Sequence, residues 1–240
     1  MYEMKRQVTY SQVGSDLKAD IAMITHFFQD CALFHSESIG KGVDNLEAAK
    51  SAWFLSGWQI EVMRYPEYRE NITVRTWPHE FKGLYGSRNF DILDEAGQRI
   101  VQANSIWIFM DLENMRPAKP AKQDIEGYDM ESALPMDYAP RKIRMLGVEC
   151  ITNRALGPIP VKHSFIDSNH HVNNGRYVTL AMDYMEEAAQ ITTLRVDYRK
   201  AAAMGDVLYP RLLAADGLRQ VVFEDESGQP YVIVEFGVMG

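Results

Sequence analysis

One stretch of this chain occurs twice. Residues 88–98, Arg-Asn-Phe-Asp-Ile-Leu-Asp-Glu-Ala-Gly-Gln, line up without a gap with residues 219–229, Arg-Gln-Val-Val-Phe-Glu-Asp-Glu-Ser-Gly-Gln. Each copy runs from a strand-like segment into an Asp-Glu-small-Gly-Gln turn, a hairpin signal. A shared turn alone is weak, because many hairpins use one. The order of elements around the two copies repeats as well. In the first half a helical pattern spans about 20–37, with Ile21, Ile24, Phe27, Phe28, Cys31 and Phe34 at helical spacing. Asp16 or Asp20 can cap it, and Gly40 and Gly42 end it. Strand-like runs follow at 52–64, 71–78, 86–93 and 99–112. In the second half a helical pattern over about 175–190 carries Tyr177, Leu180, Ala181, Tyr184, Met185 and Ala188 on one face. Runs at 192–199, 206–214, 218–224 and 230–238 come after it. Short runs at 7–13 and 142–152 are also read as strands.

Two copies of one helix followed by an antiparallel meander predict a duplicated α+β unit. The expected architecture is a tandem, or double, hotdog: two long helices, each wrapped by an antiparallel sheet. Periodicity supplies the order of elements and not the wrapping. The expected units are residues 1–115 and 142–240. Residues 116–141 hold Pro117, Pro120, Pro135 and Pro140 with little periodicity and read as a linker.

Composition narrows the function. The chain carries 25 Lys plus Arg against 33 Asp plus Glu, a net charge of -8. Nucleic acid and anionic membranes repel such a chain, so neither is an expected partner. Cys31 and Cys150 lie far apart and in no metal-like spacing, so free thiols are expected. No apolar stretch follows Met1–Arg6 and no run reaches membrane-spanning length, so a cytoplasmic location is expected.

The densest polar cluster is Asp167, Asn169, His170, His171, Asn173 and Asn174, immediately before the second helical pattern. A helix start offers unpaired N–H groups and the positive end of the macrodipole, which suit a developing oxyanion. Asp167 can take a proton or attack as a nucleophile, His171 can shuttle a proton, and the Asn169 amide can donate and accept. The same residues also read as an ordinary cap and turn, and both readings stay open at this point. Other chemistries fit worse. A calcium loop from Asp167 would need Gly where Val172 stands and Glu where Val178 stands. There is no HExxH, G-x-S-x-G, P-loop or G-x-G-x-x-G. His26 and His35 fall on opposite faces of the first helical pattern, one predicted in the core and the other solvated.

The run Asp167-Ser168-Asn169-His170-His171-Val172-Asn173-Asn174-Gly175-Arg176-Tyr177 resembles the D-x-N-x-H-V-N-N-x-x-Y motif of plant and bacterial acyl-ACP thioesterases. Arg64-Tyr65-Pro66, Thr76-Trp77, Arg88-Asn89-Phe90, residues 105–113 and Arg116-Pro117 are similar to the same family's first half, in one colinear order. The resemblance implies two hotdog units, hydrolysis of a fatty acyl thioester on acyl carrier protein (ACP), and no metal or organic cofactor. It implies Asp167, Asn169 and His171 as catalytic residues, and an acyl-chain pocket associated with the first unit. Two departures stand out. The family's glutamate after Tyr-basic-basic is Ala201 here, behind Tyr198-Arg199-Lys200, and a second Asp before the motif is Phe165. Asp197 and Asp206 are candidates to compensate for the first.

Candidate substrate-binding residues are therefore Asn173 and Asn174 at the helix start, and Phe27, Phe28, Phe34 and Trp53 for the acyl chain. Each of the four aromatic residues also reads as plain core. ACPs are acidic, so docking needs cations, for which Arg116, Lys119, Lys122, Arg141, Lys142 and Arg144 are candidates. Carriers other than ACP (CoA) and a silent acyl-binding protein are the alternatives; a homodimer is among the expected assemblies.

Overall fold

A computed structural model describes residues 1–42, 50–147, 150–186 and 189–239. It divides into two compact units, residues 1–56 with 60–139, and residues 57–59 with 140–240.

The first unit holds strand β1 (Tyr2–Gln7), helix α1 (Ile21–Ser38), the long strands β2 (Ser51–Val62), β3 (Asn71–Lys82), β4 (Tyr85–Leu93) and β5 (Arg99–Asp111), the two-residue β6 (Arg116–Pro117) and a single helical turn α2 (Lys122–Ile125). Its sheet runs β1-β3-β4-β5-β2, with β6 on β5. Asp20 caps α1 by accepting the Met23 N–H at 2.7 Å, which satisfies one of the orphan donors of the first turn. The apolar stripe of α1 buries Ile21, Ile24, Phe27, Phe28 and Cys31. It meets the sheet at Phe28–Phe90, with ring centroids 5.0 Å apart, and at the Cys31 thiol, 3.5 Å from the Val74 carbonyl oxygen. Fully burying each such side chain is worth about 1.5–3 kcal/mol, which is ample to hold an 18-residue helix on a sheet.

The second unit holds β7 (Thr152–Ala155), β8 (Ile159–Pro160), α3 (Asn174–Met182), β9 (Gln190–Tyr198), β10 (Val207–Ala215), β11 (Leu218–Glu224) and β12 (Pro230–Met239). Its sheet runs β9-β12-β11-β10-β7, with β8 on β10. Tyr177 of α3 packs edge-on against Phe223 at 5.5 Å and Tyr198 at 6.4 Å. The duplication read in the sequence is real in space: residues 88–98 are β4 and its turn into β5, and residues 219–229 are β11 and its turn into β12.

Several expectations need correction. The first strand is Tyr2–Gln7 and not 7–13; residues 10–12 form a 3₁₀ turn in place of a strand. Regular α3 ends at Met182, where tight turns bonded from Tyr184 to Ala181 and from Met185 to Met182 take over. It is a nine-residue helix rather than a long one, and Ala188, expected on its face, lies outside the described residues.

Residues 116–139 count with the first unit, and the chain from 131 to 147 is bonded to the sheets rather than free. On the first unit, Asn89 Oδ1 accepts from the Leu134 N–H at 3.0 Å and from the Tyr138 hydroxyl at 3.1 Å, and the Trp77 indole donates to the Ser132 carbonyl. On the second, Asp197 accepts the Ile143 N–H and Gln220 accepts the Leu146 N–H. Ile143 packs among Leu213, Val222 and Ile233. The run at 142–152 therefore forms no strand over 142–147: its backbone finds side-chain partners from the sheet beneath it, where a ladder would need a neighbouring strand. Among the described residues no helix is long and apolar enough to cross a membrane.

Candidate active site

The predicted catalytic residues lie in one tight loop of the second unit. The Asp167 N–H donates to the His171 carbonyl at 2.9 Å, and the His170 N–H returns to the Asp167 carbonyl at 3.0 Å. Ile166 and Val172 bridge across the base of the loop, His171 bridges to Ala203, and the Val172 N–H donates to the Ala202 carbonyl at 2.8 Å. Asp167, Asn169 and His171 are thus held on five consecutive residues by backbone bonds.

Their side chains do not bond to one another. Asp167 Oδ1 accepts the backbone N–H of Asn169 at 2.8 Å, while its Oδ2 has no partner among the described residues. The Asn169 side chain is exposed, and His171 is half-buried. A carboxylate oxygen, a carboxamide and an imidazole are accordingly all available to a ligand.

Asn173 and Asn174 set the start of α3. Asn173 caps the helix, its Oδ1 taking the Gly175 N–H at 2.9 Å and its carbonyl taking the Arg176 N–H. Of the first-turn donors expected to suit an oxyanion, those of Gly175 and Arg176 are therefore occupied. Asn174 N–H has no such acceptor among the described residues and is the first-turn donor left for a ligand. The Asn174 carbonyl accepts the Tyr198 hydroxyl at 3.0 Å. The half-buried Tyr198 ring lies beside Tyr177, and burial pushes its phenol well above the usual tyrosine range, so it stays a neutral donor. In the sequence Tyr198, an aromatic residue ending a strand, looks like core, and only its contact with the helix start reveals its task.

The two carboxylates considered as substitutes behave differently. Asp197 is fully buried between Arg141 (3.4 Å) and Arg199 (2.8 Å), so it is committed to the fold. Asp206 accepts the Ala203 N–H at 2.9 Å and thereby holds the turn that bridges to His171. Arg141, one of the cations expected for docking, is likewise engaged with Asp197, whereas Arg116, Lys119 and Lys122 on the first unit and Lys142 and Arg144 on the second are exposed.

Of the aromatic candidates, Phe27 and Phe28 are buried, with the Arg6 guanidinium 4.0 Å from the Phe27 ring centroid. Trp53 sits between Phe81 (5.6 Å) and Phe109 (5.0 Å), and its indole N–H is buried without an acceptor among the described residues. Phe34 is 46% exposed and lies outside the core. His35 is the core histidine of α1. Cys31 and Cys150 are free thiols, and burial pushes the Cys31 thiol up to about 12.

Residues 1–128 match the family described as acyl-ACP thioesterase N-terminal domain, and residues 149–219 match the acyl-ACP thioesterase C-terminal domain. The chain belongs to the acyl-ACP thioesterase family. A chloroplastic acyl-[acyl-carrier-protein] hydrolase of Cuphea viscosissima is 30% identical over 211 residues, covering 82% of this chain and 51% of that protein. Oleoyl-acyl carrier protein thioesterase 1, chloroplastic, of Arabidopsis thaliana is 24% identical over 233 residues, covering 86% and 62%. The chain spans about half the length of the curated relatives it matches first. In structure it resembles an acyl-ACP thioesterase from Bacteroides thetaiotaomicron (TM-score 0.86, 21% identity, covering 99% of this chain and 97% of that one). It also resembles the 12:0-ACP thioesterase from Umbellularia californica (TM-score 0.85, 18% identity, covering 99% and 96%). These two likenesses establish the double hotdog fold for this acyl-ACP thioesterase family member.

Proposed function

We propose that the chain hydrolyses the thioester of a fatty acyl-ACP, releasing free fatty acid and ACP. The observation that carries this reading is Asp167: among the described residues its carboxylate is held by one backbone N–H, leaves an oxygen without a partner, and shares its loop with His171 and the unbonded Asn169 carboxamide. Family membership supplies the reaction class.

A thioester expels a thiolate readily, since an ordinary thiol has a pKa of about 8.5. The barrier lies chiefly in delivering a nucleophile and stabilising the oxyanion. Asp167 activates a water or attacks the carbonyl carbon itself. Asn169 Nδ2 and the Asn174 N–H hold the oxyanion, and His171 moves the proton. One such oxyanion donor is worth roughly 3–4 kcal/mol, and general acid–base help about 10²–10⁴ in rate. Ala201 removes a carboxylate from the neighbourhood but leaves these three side chains intact.

The test is a panel of acyl-ACPs of graded length, with purified protein, reading rate and product together. Asp167→Ala and His171→Ala are each expected to lower kcat by orders of magnitude with the fold unchanged. Near-wild-type rates in both variants would overturn the assignment. Matched acyl-ACP and acyl-CoA, compared by kcat/KM, decide the carrier. Tight binding of acyl-ACP with no thiol released would instead make this a silent acyl-binding protein, the reading that Ala201 favours.

A further inference from the structure

The face of the first unit's sheet that packs on α1 carries a buried arginine, Arg88 of β4. Side chains alternate along β4, so Arg88, Phe90 and Ile92 share a face, and Asn89 and Asp91 share the other. Phe90 meets Phe28 of α1, which puts Arg88 on the helix side of the sheet. There Arg88 is 8% exposed. Its Nη1 donates to His35 Nδ1 on α1 at 2.9 Å and to Thr76 Oγ1 on β3 at 3.3 Å. The guanidinium also lies 5.3 Å from the centroid of the Tyr128 ring, and His35 is stacked on Tyr2 at 5.6 Å.

Among the described residues no carboxylate pairs with Arg88. The contrast with its neighbours is sharp. Arg75 and Arg99 both bind Asp91, at 2.6 and 3.0 Å, on the opposite face of the same strand. Asp91 cannot neutralise Arg88 through the sheet. Nor does His35 supply charge: burial and the adjacent guanidinium lower its pKa to about 4, so it is neutral. Burial lowers Arg88 to about 10, which leaves it a cation. Arg88 Nε and Nη2 and His35 Nε2 make no hydrogen bond among the described residues. An interior cation without a counter-charge is costly, and a hydrogen-bond acceptor that fills those donors removes much of that cost.

We propose that Arg88 and His35 form a polar subsite on the α1 side of the first unit's sheet that receives an oxygen atom carried on the acyl chain, so that the preferred substrates are oxygenated acyl thioesters: keto, hydroxyl or terminal carboxyl. The inference rests on the thioesterase reading and on the first unit taking the chain. A plain alkyl chain would leave the donors unfilled, and sites built around buried donors discriminate strongly against analogues that lack the acceptor.

The experiment compares acyl-ACPs matched in length: unsubstituted, keto-, hydroxy- and terminally carboxylated. Wild-type protein is expected to show kcat/KM at least about tenfold higher for one oxygenated class than for the unsubstituted chain. Preference for the carboxylate identifies charge pairing with Arg88; preference for keto or hydroxyl identifies neutral hydrogen bonding. Arg88→Met should bring the ratio to about one by lowering kcat/KM on the oxygenated chain. His35→Phe is a second variant that should narrow the ratio if Arg88→Met fails to fold. Equal or lower rates on every oxygenated chain in the wild type, or a ratio unchanged in folded Arg88→Met, overturn the subsite. If nothing in the panel is hydrolysed, the thioesterase reading fails instead. Calorimetric titration of free oxygenated and unsubstituted fatty acids then decides the subsite, which stands only if the oxygenated acid binds more tightly and Arg88→Met abolishes the difference.

Discussion

Three loops in this protein share one backbone plan, and one of them differs in what its aspartate is left to do. In each, the N–H of an Asp donates to the carbonyl four residues on, and the N–H three residues on returns to the Asp carbonyl: Asp94 with Gln98 and Gly97, Asp225 with Gln229 and Gly228, Asp167 with His171 and His170. In each, the carboxylate accepts the N–H two residues on, from Ala96, Ser227 or Asn169. The two hairpin turns then saturate their carboxylates. Asp94 also accepts from Gln98 and pairs with Arg64 at 3.4 Å; Asp225 also accepts from Gln229 and the Ser227 hydroxyl and pairs with Lys200 at 3.1 Å. Asp167 has no second donor and no cation among the described residues. The hairpin turns use their aspartates to close a loop. The third uses the same closure and leaves one carboxylate oxygen without a partner among the described residues.

The fourth position separates them too. It takes a left-handed backbone, with φ 75° at Gly97 and 78° at Gly228, where glycine has no steric cost. In the third loop the residue is His170, at φ 62°. A non-glycine there is strained, and such strain collects at functional sites.

Substitutions can break this comparison. The largest effect should come from the carboxylates: Asp167→Asn lowers kcat on acyl-ACP by about 10²–10⁴, whereas Asp94→Asn leaves kcat within about twofold, on the general finding that substitutions remote from the reacting atoms change stability rather than turnover. Equal losses would erase the distinction. Next, Asp94→Ala should destabilise by about 1–2 kcal/mol in urea unfolding, because two N–H groups and Arg64 lose their acceptor, and Asp167→Ala by less. Smaller again, His170→Gly should stabilise by up to about 1 kcal/mol, while Gly97→Ala destabilises by a similar amount. The smallest effect concerns pH. The Ser227 hydroxyl, the Gln229 N–H and Lys200 hold the Asp225 carboxyl well below the usual carboxylate range. Its folded pKa is depressed, so its contribution is present above the unfolded value of about 3.9 and is lost as pH falls through the folded value. The Tm gap between wild type and Asp225→Ala should therefore be widest near neutrality and shrink in strong acid. A gap that widens on acidification would contradict the ion-pair account.

How much of this was legible depends on which interactions carry each feature. The two hairpin turns announce themselves because glycine is needed at the left-handed position, and Asp-x-x-Gly is visible in one dimension. The third turn has the same geometry without the glycine, so its composition reads as a cap and turn but not as this hairpin turn; the motif resemblance singles it out. Helix α1 was legible because an apolar stripe at helical spacing begins just after a capping aspartate. The strap at 131–147 was not, since Asn89, Asp197 and Gln220 that receive it lie far away in sequence and on other elements. Phe34 fits the apolar spacing of α1 yet stands exposed, because spacing gives a face and not which edge of that face the sheet covers.

Local order determined the duplicated plan, the caps and turns, and the short run holding aspartate, asparagine and histidine together; each depends on neighbours within a few residues, where backbone preference acts. Tertiary packing decided which carboxylates are neutralised and which are left free. Among the described residues, whether Asp197 meets two arginines, Asp167 meets none, or Arg88 sits without a carboxylate depends on the sheet face and on elements tens of residues away, and electrostatic energy follows distance in space rather than separation along the chain.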